Sequence, residues 1–222
     1  MEKTFLYHAL ASGVSGKITL PFQDVIAVQA PSALPFTGGY SSSRVEGFRY
    51  KDIFSFSSAS TTTAGSENEN SYDTLATAVV EGLNVLNVIT ADRVVARLAS
   101  KYTKNTREFS ATFAGTHFQN LRVAGKRLDI EFAPERLKSS ARSEKLLYGS
   151  IIAPLNLKDH SPWEVDEDGG IYLAEYGRVH FAEAVVTSCY QSITMFRAEL
   201  GCAVKGHVAV GHVSTDGEPF PP

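Results

Sequence analysis

Two cysteines, two methionines and one tryptophan among 222 residues remove several chemistries at once. Cys189 and Cys202 are too few for a disulfide scaffold or a zinc site built from thiolates. They leave one short-loop bridge or two small buried thiols as the alternatives. No stretch approaches the ~18–20 consecutive apolar residues that span a bilayer as a helix, so no transmembrane segment is expected. The N-terminal Met1-Glu2-Lys3-Thr4-Phe5-Leu6-Tyr7-His8 has a single lysine and no apolar run of the kind a secretory signal carries. No serine stands in a Gly-x-Ser-x-Gly elbow, and Gly13-Val14-Ser15-Gly16-Lys17-Ile18 lacks the spacing of a phosphate loop. An excess of positive charge is missing as well. The net charge is -3 with a pI near 6.1, and the Lys and Arg residues are scattered, which argues against nucleic acid as a partner. Leu34-Pro35-Phe36-Thr37-Gly38 matches the pentapeptide that sortases cleave, but neither an apolar segment nor a basic tail follows it, so a sorting signal is rejected.

What the chain does have is apolar and β-branched: 43% of its residues are hydrophobic, ample for a core. The segment 14–30 reads as short strands interrupted by Pro21, and residues 31–43 as a Pro- and Gly-marked loop. From Arg44 onward Val45, Phe48, Tyr50, Ile53, Phe54 and Phe56 suit a pleated surface. The Ser/Thr-rich stretch 57–73 is expected to be a strand end passing into an exposed loop. Residues 77–98, rich in Val and punctuated by Gly82, Asn84 and Asn87, predict strands of about five residues joined by tight turns. Strand is preferred to helix at 91–100 because Val94 and Val95 are stiff at χ1. Gly82-Leu83-Asn84-Val85 is echoed by Asn120-Leu121-Arg122-Val123, which suggests two similar β-units. Residues 133–146 form a charged loop or short helix, four β-segments follow between 147 and 200, and residues 214–222 make an extended tail. The expectation is one all-β domain, a β-sandwich or solenoid-like sheet stack with at most one or two short helices.

Candidate chemistry is sparse, and no catalytic residue is assigned. His207 and His212 are five apart, which in a regular strand puts them on opposite faces; only a bulge at Gly211 brings them together. Asp166 and Asp168, in Asp166-Glu167-Asp168-Gly169-Gly170, have the carboxylate density of a calcium loop but lack its alternating ligands. These four are the metal candidates, and also the least poor ones for an enzyme. Cys202, His117, His160 and His180 are held to them by no spacing. Trp163, Tyr172, Tyr176 and Phe181 are the candidates to line a ligand surface. No cofactor is expected.

Together Ser32-Ala33-Leu34-Pro35-Phe36-Thr37-Gly38-Gly39, Thr63-Ala64-Gly65, the run from Val85 to Arg97, Asn120-Leu121-Arg122-Val123, Gly170-Ile171-Tyr172-Leu173 and the run from Lys205 to Val213 resemble the bacterial choice-of-anchor P proteins. That resemblance implies an exported, β-rich protein displayed at the cell surface, with no catalytic residues to carry over; the signal and anchor of that pattern are not found here. The first functional expectation is a structural or interaction protein that presents a β-surface, as a homo-oligomer or with another protein. A binding module for a small apolar ligand or glycan is the second, and an enzyme of unfamiliar β-fold the third.

Overall fold

A computed structural model describes residues 5–133, 147–153, 163–165, 170–187, 189–201 and 203–219. In chain order the strands are β1 (Phe5–Leu6), β2 (Ala9–Leu20), β3 (Asp24–Gln29), β4 (Ser32–Ala33), β5 (Gly39–Tyr50), β6 (Phe54–Glu67), β7 (Ser71–Val85), β8 (Ile89–Thr103), β9 (Glu108–Thr112) and β10 (His117–Gln119). They continue with β11 (Arg122–Val123), β12 (Lys126–Arg127), β13 (Leu147–Ser150), β14 (Trp163–Val165), β15 (Ile171–Leu173), β16 (Gly177–Val186), β17 (Gln191–Gly201), β18 (Lys205–Thr215) and β19 (Glu218–Pro219). No helix occurs among the described residues. The protein is all-β, and its two large antiparallel sheets pack face to face as a sandwich.

One sheet runs β5-β6-β7-β8, with β9, β10 and β11 placed end to end along the far side of β8 and β12 beyond β11. The other runs β16-β17-β18-β2, flanked by β13, β15 and β14 on one side and by β3 and β4 on the other. A ribbon of β1 and β19 joins the two ends of the described chain, and His8 Nδ1 lies 2.7 Å from Asp216 Oδ1 beside it. Burial alternates along the strands with period two, so each strand gives one face to the shared core.

That alternation changes phase once in every long strand, at matched positions. In the eight-stranded sheet the break runs through Gly47, Ser57, Gly82, Asp92 and Asn120, all exposed. Register on both sides of the row is unchanged, and the residues beyond it (Phe48, Phe56, Leu83, Ala91 and Leu121) point to the core. In the nine-stranded sheet the row is Gly13, Gly211, Met195 and Ala182, all buried, so that two consecutive residues of each strand face inward. The left-handed residues fall in every second strand: Gly47 (φ 65), Gly82 (φ 63) and Asn120 (φ 50) in one sheet, Ala182 (φ 49) and Gly211 (φ 65) in the other. Holding a residue with a side chain left-handed costs about 1–2 kcal/mol. Burying Leu83, Val85, Leu121 and Val123, each at most 2% exposed, returns roughly 1.5–3 kcal/mol apiece. Burial therefore wins, and Asn120 is further held by its Nδ2 donating to Asp92 Oδ2 at 2.6 Å. Where the rows meet the opposing sheet the side chains are small: a Cβ on Gly13 would stand 2.8 Å from the Ala59 Cβ, and one on Gly211 3.6 Å from that of Ala96.

The echo of Gly82-Leu83-Asn84-Val85 in Asn120-Leu121-Arg122-Val123 acquires a physical meaning here. Asn84 and Arg122 both pair with Thr90, and Val85 and Val123 both pair with Ile89, so the two copies flank one strand in equivalent register. Gly47-Phe48-Arg49-Tyr50 is a third copy, two strands away in β5.

Several boundaries differ from expectation. Residues 77–98 belong to two strands of 15 residues each, β7 and β8, rather than to strands of about five, because Gly82 marks the phase change and the reversal waits for left-handed Leu86 and Asn87. Residues 57–73 are mostly strand: β6 runs to Glu67 and β7 starts at Ser71, since paired neighbours on both sides satisfy the backbone of this Ser/Thr-rich stretch. The 31–43 loop holds β4 and the start of β5, and the 214–222 tail holds the end of β18 and all of β19. The short-helix expectation at 133–146 falls, beyond Ala133, outside the described residues.

Gly82→Ala and Gly47→Ala separate the two costs of the break. Gly47 has open space where a Cβ would go, so its alanine should cost about 1 kcal/mol of left-handed strain. A Cβ on Gly82 would stand 2.2 Å from Ser57 Oγ and 3.0 Å from its Cβ, so about 3 kcal/mol is expected in urea unfolding.

Candidate functional site

The phase change at Ala182 gathers polar groups on the outer face of the nine-stranded sheet. In an unbroken strand His180 and Glu183 would lie on opposite faces; here His180 Nδ1 lies 3.8 Å from Glu183 Oε1. Arg197, on the neighbouring β17, grips the carboxylate with both edges of its fork, Nε to Oε2 at 2.6 Å and Nη2 to Oε1 at 2.8 Å. Its Nη1 also donates to Glu199 Oε1. Tyr148 OH, from β13, donates to Glu183 Oε1 at 2.5 Å. With Arg178, Ser150 and Phe181 these residues line a cleft of about 360 Å³.

Hydrogen bonds hold the charge in this cluster in place. Burial opposes the charged form of Glu183, but the Arg197 and Tyr148 hydrogen bonds outweigh it and hold the carboxyl below its ordinary range. The bond to that carboxylate, with burial, pushes the Tyr148 phenol up, and the same carboxylate strengthens the hold of Arg197 on its proton. All three groups are driven away from neutrality, the reverse of what a general acid or base requires. Glu183 and Arg197 form a neutralised, geometrically fixed pair.

A second concavity, of about 690 Å³, lies on the outer face of the eight-stranded sheet. Its floor is Ala64, Leu75 and Ala99, and Arg97, Lys101, Asp73, Ser110 and Thr112 stand around it. Ala64, Leu75, Ala99 and Thr112 occupy one cross-strand row that begins at Tyr40, which is 65% exposed. Among the described residues neither the Arg97 nor the Lys101 side chain has a hydrogen-bonded or ionic partner. Asp73 sits opposite Lys101 in register, yet its Oδ2 is taken by Asn68 Nδ2 and by Ser71 Oγ at 3.0 Å.

The residues predicted from sequence do not converge. Gly211 does supply the break that puts His207 and His212 on one face, but five residues of strand separate them by about 16 Å. His207 is exposed, whereas His212 is half-buried with Nδ1 2.9 Å from Thr194 Oγ1, and burial lowers its pKa. Asp166 and Asp168 lie outside the described residues, among which no group of three or more His, Cys, Asp or Glu side chains is placed to hold a metal. Phe181 borders the Glu183 cleft with its carbonyl, which accepts from Ser150 Oγ at 2.7 Å, while its side chain is 1% exposed in the core, the ring 5.7 Å from Phe118 and 5.8 Å from Phe196. Its place beside Ala182, where two successive residues turn inward, is the reason. Tyr172 and Tyr176 are exposed on β15 and the turn after it, and Trp163 pairs through its backbone with Leu173 while its side chain is outside the description. Cys189 is an exposed free thiol, and Cys202 lies outside the described residues.

A family model described as a domain of unknown function, DUF8256, matches residues 5–152. The chain belongs to the DUF8256 family. The matched span contains the whole eight-stranded sheet with its concavity, but only Tyr148, Gly149 and Ser150 of the Glu183 cleft. No curated protein and no solved structure matches, and the choice-of-anchor P resemblance has no counterpart among these findings.

The two lowered pKa values make stability fall with acidification in separate windows. A depressed folded pKa contributes stability that is present above the unfolded value and lost as pH drops through the folded one. His212 should begin its loss below about pH 6.5 and Glu183 below about pH 4.3. Urea midpoints followed across pH should lose the upper step in His212→Gln and the lower step in Glu183→Gln, which also costs about 2–3 kcal/mol near neutrality by replacing the bidentate ion pair with Arg197 by a neutral amide.

Proposed function

We propose that this DUF8256 protein is a non-enzymatic binding module that works through the outer face of its eight-stranded sheet. The observation that carries this reading is the character of the face. Its central rows are uncharged: Ser60, Thr62, Ala64, Leu75, Thr77, Val79 and Ala99. The charges Arg44, Glu46, Glu81, Arg93, Arg97 and Lys101 stand around these rows. Strands of 15 residues give it a length of about 50 Å. A flat, rigid, apolar-to-hydroxyl surface with a charged margin has the make-up of a recognition surface.

The locked Glu183–Arg197 pair supports the same reading by giving the other cleft a structural role. Its groups are saturated by one another and are tuned away from proton transfer. Display at a bacterial cell surface, which the choice-of-anchor P resemblance implies, would leave the eight-stranded face open to a ligand in the medium.

Amide shift mapping with a panel of small fragments and oligosaccharides tests the site without knowledge of the natural ligand. The expected result is a set of hits whose perturbed amides cluster on Ala64, Leu75, Thr77 and Ala99. Hits confined to Tyr148, His180, Glu183 and Arg197 would transfer the binding role to the other sheet.

A further inference from the structure

We propose that the concavity over Ala64, Leu75 and Ala99 binds a free amphipathic anion, a compact carboxylate, sulfate or phosphate head on a single apolar chain. This deepens the reading of the eight-stranded face as the binding surface and rests on it.

The floor sets the apolar half of the ligand. Two alanines and a leucine, contributed by β6, β7 and β8, make a shallow trough across the strands, and Gly39 and Gly65 extend it toward the edge strand. Short side chains leave space above the sheet that the stems of Arg97 and Lys101 border. The volume of about 690 Å³ lies inside the ~300–1,000 Å³ typical of small-molecule sites.

The rim sets the polar half. Arg97 and Lys101 project from the same face of β8 on either side of Ala99, so that an anion over that alanine lies within reach of both side chains. Neither cation has a partner among the described residues, although the protein as a whole carries a net charge of -3. Asp73, the one carboxylate lining the trough, is turned to Asn68 and Ser71 and leaves Lys101 free. Ser110 and Thr112, on β9, offer hydroxyl donors to the same head group. A local pair of unmatched cations beside an apolar trough complements a molecule with one charged end.

A single free chain is preferred over a bilayer surface because the apolar groups are recessed. Membrane-binding faces push large apolar side chains outward; here the floor residues are small and half-buried, while the protruding Val25, Val28 and Phe36 lie elsewhere in the fold.

The test is titration of the full chain with octanoate, octyl sulfate and uncharged octanol, read by amide shift mapping and calorimetry. Both anions are expected to perturb Ala64, Leu75 and Ala99 and to bind more tightly than octanol. Arg97→Gln and Lys101→Gln should each weaken the anions about tenfold and leave octanol unchanged. Ala99→Leu, which fills the floor without altering charge, should weaken all three probes. Phosphatidylglycerol vesicles should not sediment the protein. Anion binding unaffected by either cation variant overturns the proposal, as does binding to vesicles in preference to monomeric octanoate. If neutral fragments bind this face while octanoate and octyl sulfate do not, the anion assignment falls and the binding-face reading stands; if no probe perturbs the face, both fall.

Discussion

Both sheets of this sandwich obey one constraint: every long strand must change the face it gives to the core, and neighbouring strands must do so at the same row or lose their pairing. A phase change in one strand alone would set its inward residues against the outward residues of the next. The chain satisfies the constraint by aligning Gly47, Ser57, Gly82, Asp92 and Asn120 in one sheet and Gly13, Gly211, Met195 and Ala182 in the other. Register passes through both rows without slipping, so strands of up to 15 residues remain fully paired. The two rows differ in sense, the first turning two successive residues of each strand to solvent and the second turning two to the core. Small residues at the second row, facing Ala59 and Ala96, allow the sheets to approach there.

The same device governs where chemistry can appear. Across the break in β16, His180 and Glu183 share the outer face, and across the break in β17 so do Thr194 and Arg197. The Glu183–Arg197 pair, Tyr148 and His180 are assembled by this geometry, and their mutual saturation makes the cluster a fixture of the fold. On the eight-stranded sheet the break lies away from the trough. Rows from Tyr40 to Thr112 there keep simple alternation and present a plain, open surface with two cations, Arg97 and Lys101, that have no partner among the described residues. One face is thus occupied with holding itself together, and the other is available.

Much of this was legible before the structure and some was not, for reasons that differ by element. The all-β class followed from β-branched density, and strand over helix at 91–100 followed from the stiffness of Val94 and Val95. The repeated Gly/Asn-Leu-x-Val pattern was visible, but its meaning depended on β7 and β11 flanking β8, a non-local fact. Gly82 looked like a turn residue because a left-handed glycine serves equally well in a turn and in a phase change. The conditional reading of Gly211 and the two histidines named the right residue, yet the site it would have made is too wide. Arg97, Lys101, Glu183 and Arg197 carried no motif at all: what distinguishes them is which cations are matched and which are not, and pairing is decided by strand order. Phe181 was grouped with the exposed aromatics by residue type alone, whereas its side chain sits on the inward side of β16 opposite Phe196.

Both faces of the sandwich depend on the concerted phase change, and backbone φ at Asn120 and Ala182, measured in solution from scalar couplings and chemical shifts, tests it most directly. Left-handed values at both residues, with extended values at their row neighbours Asp92 and Met195, are the predicted result. Extended φ at Asn120 or Ala182 would mean that the strands keep regular alternation, and would contradict both the placement of the core and the assembly of the outer faces described for this protein.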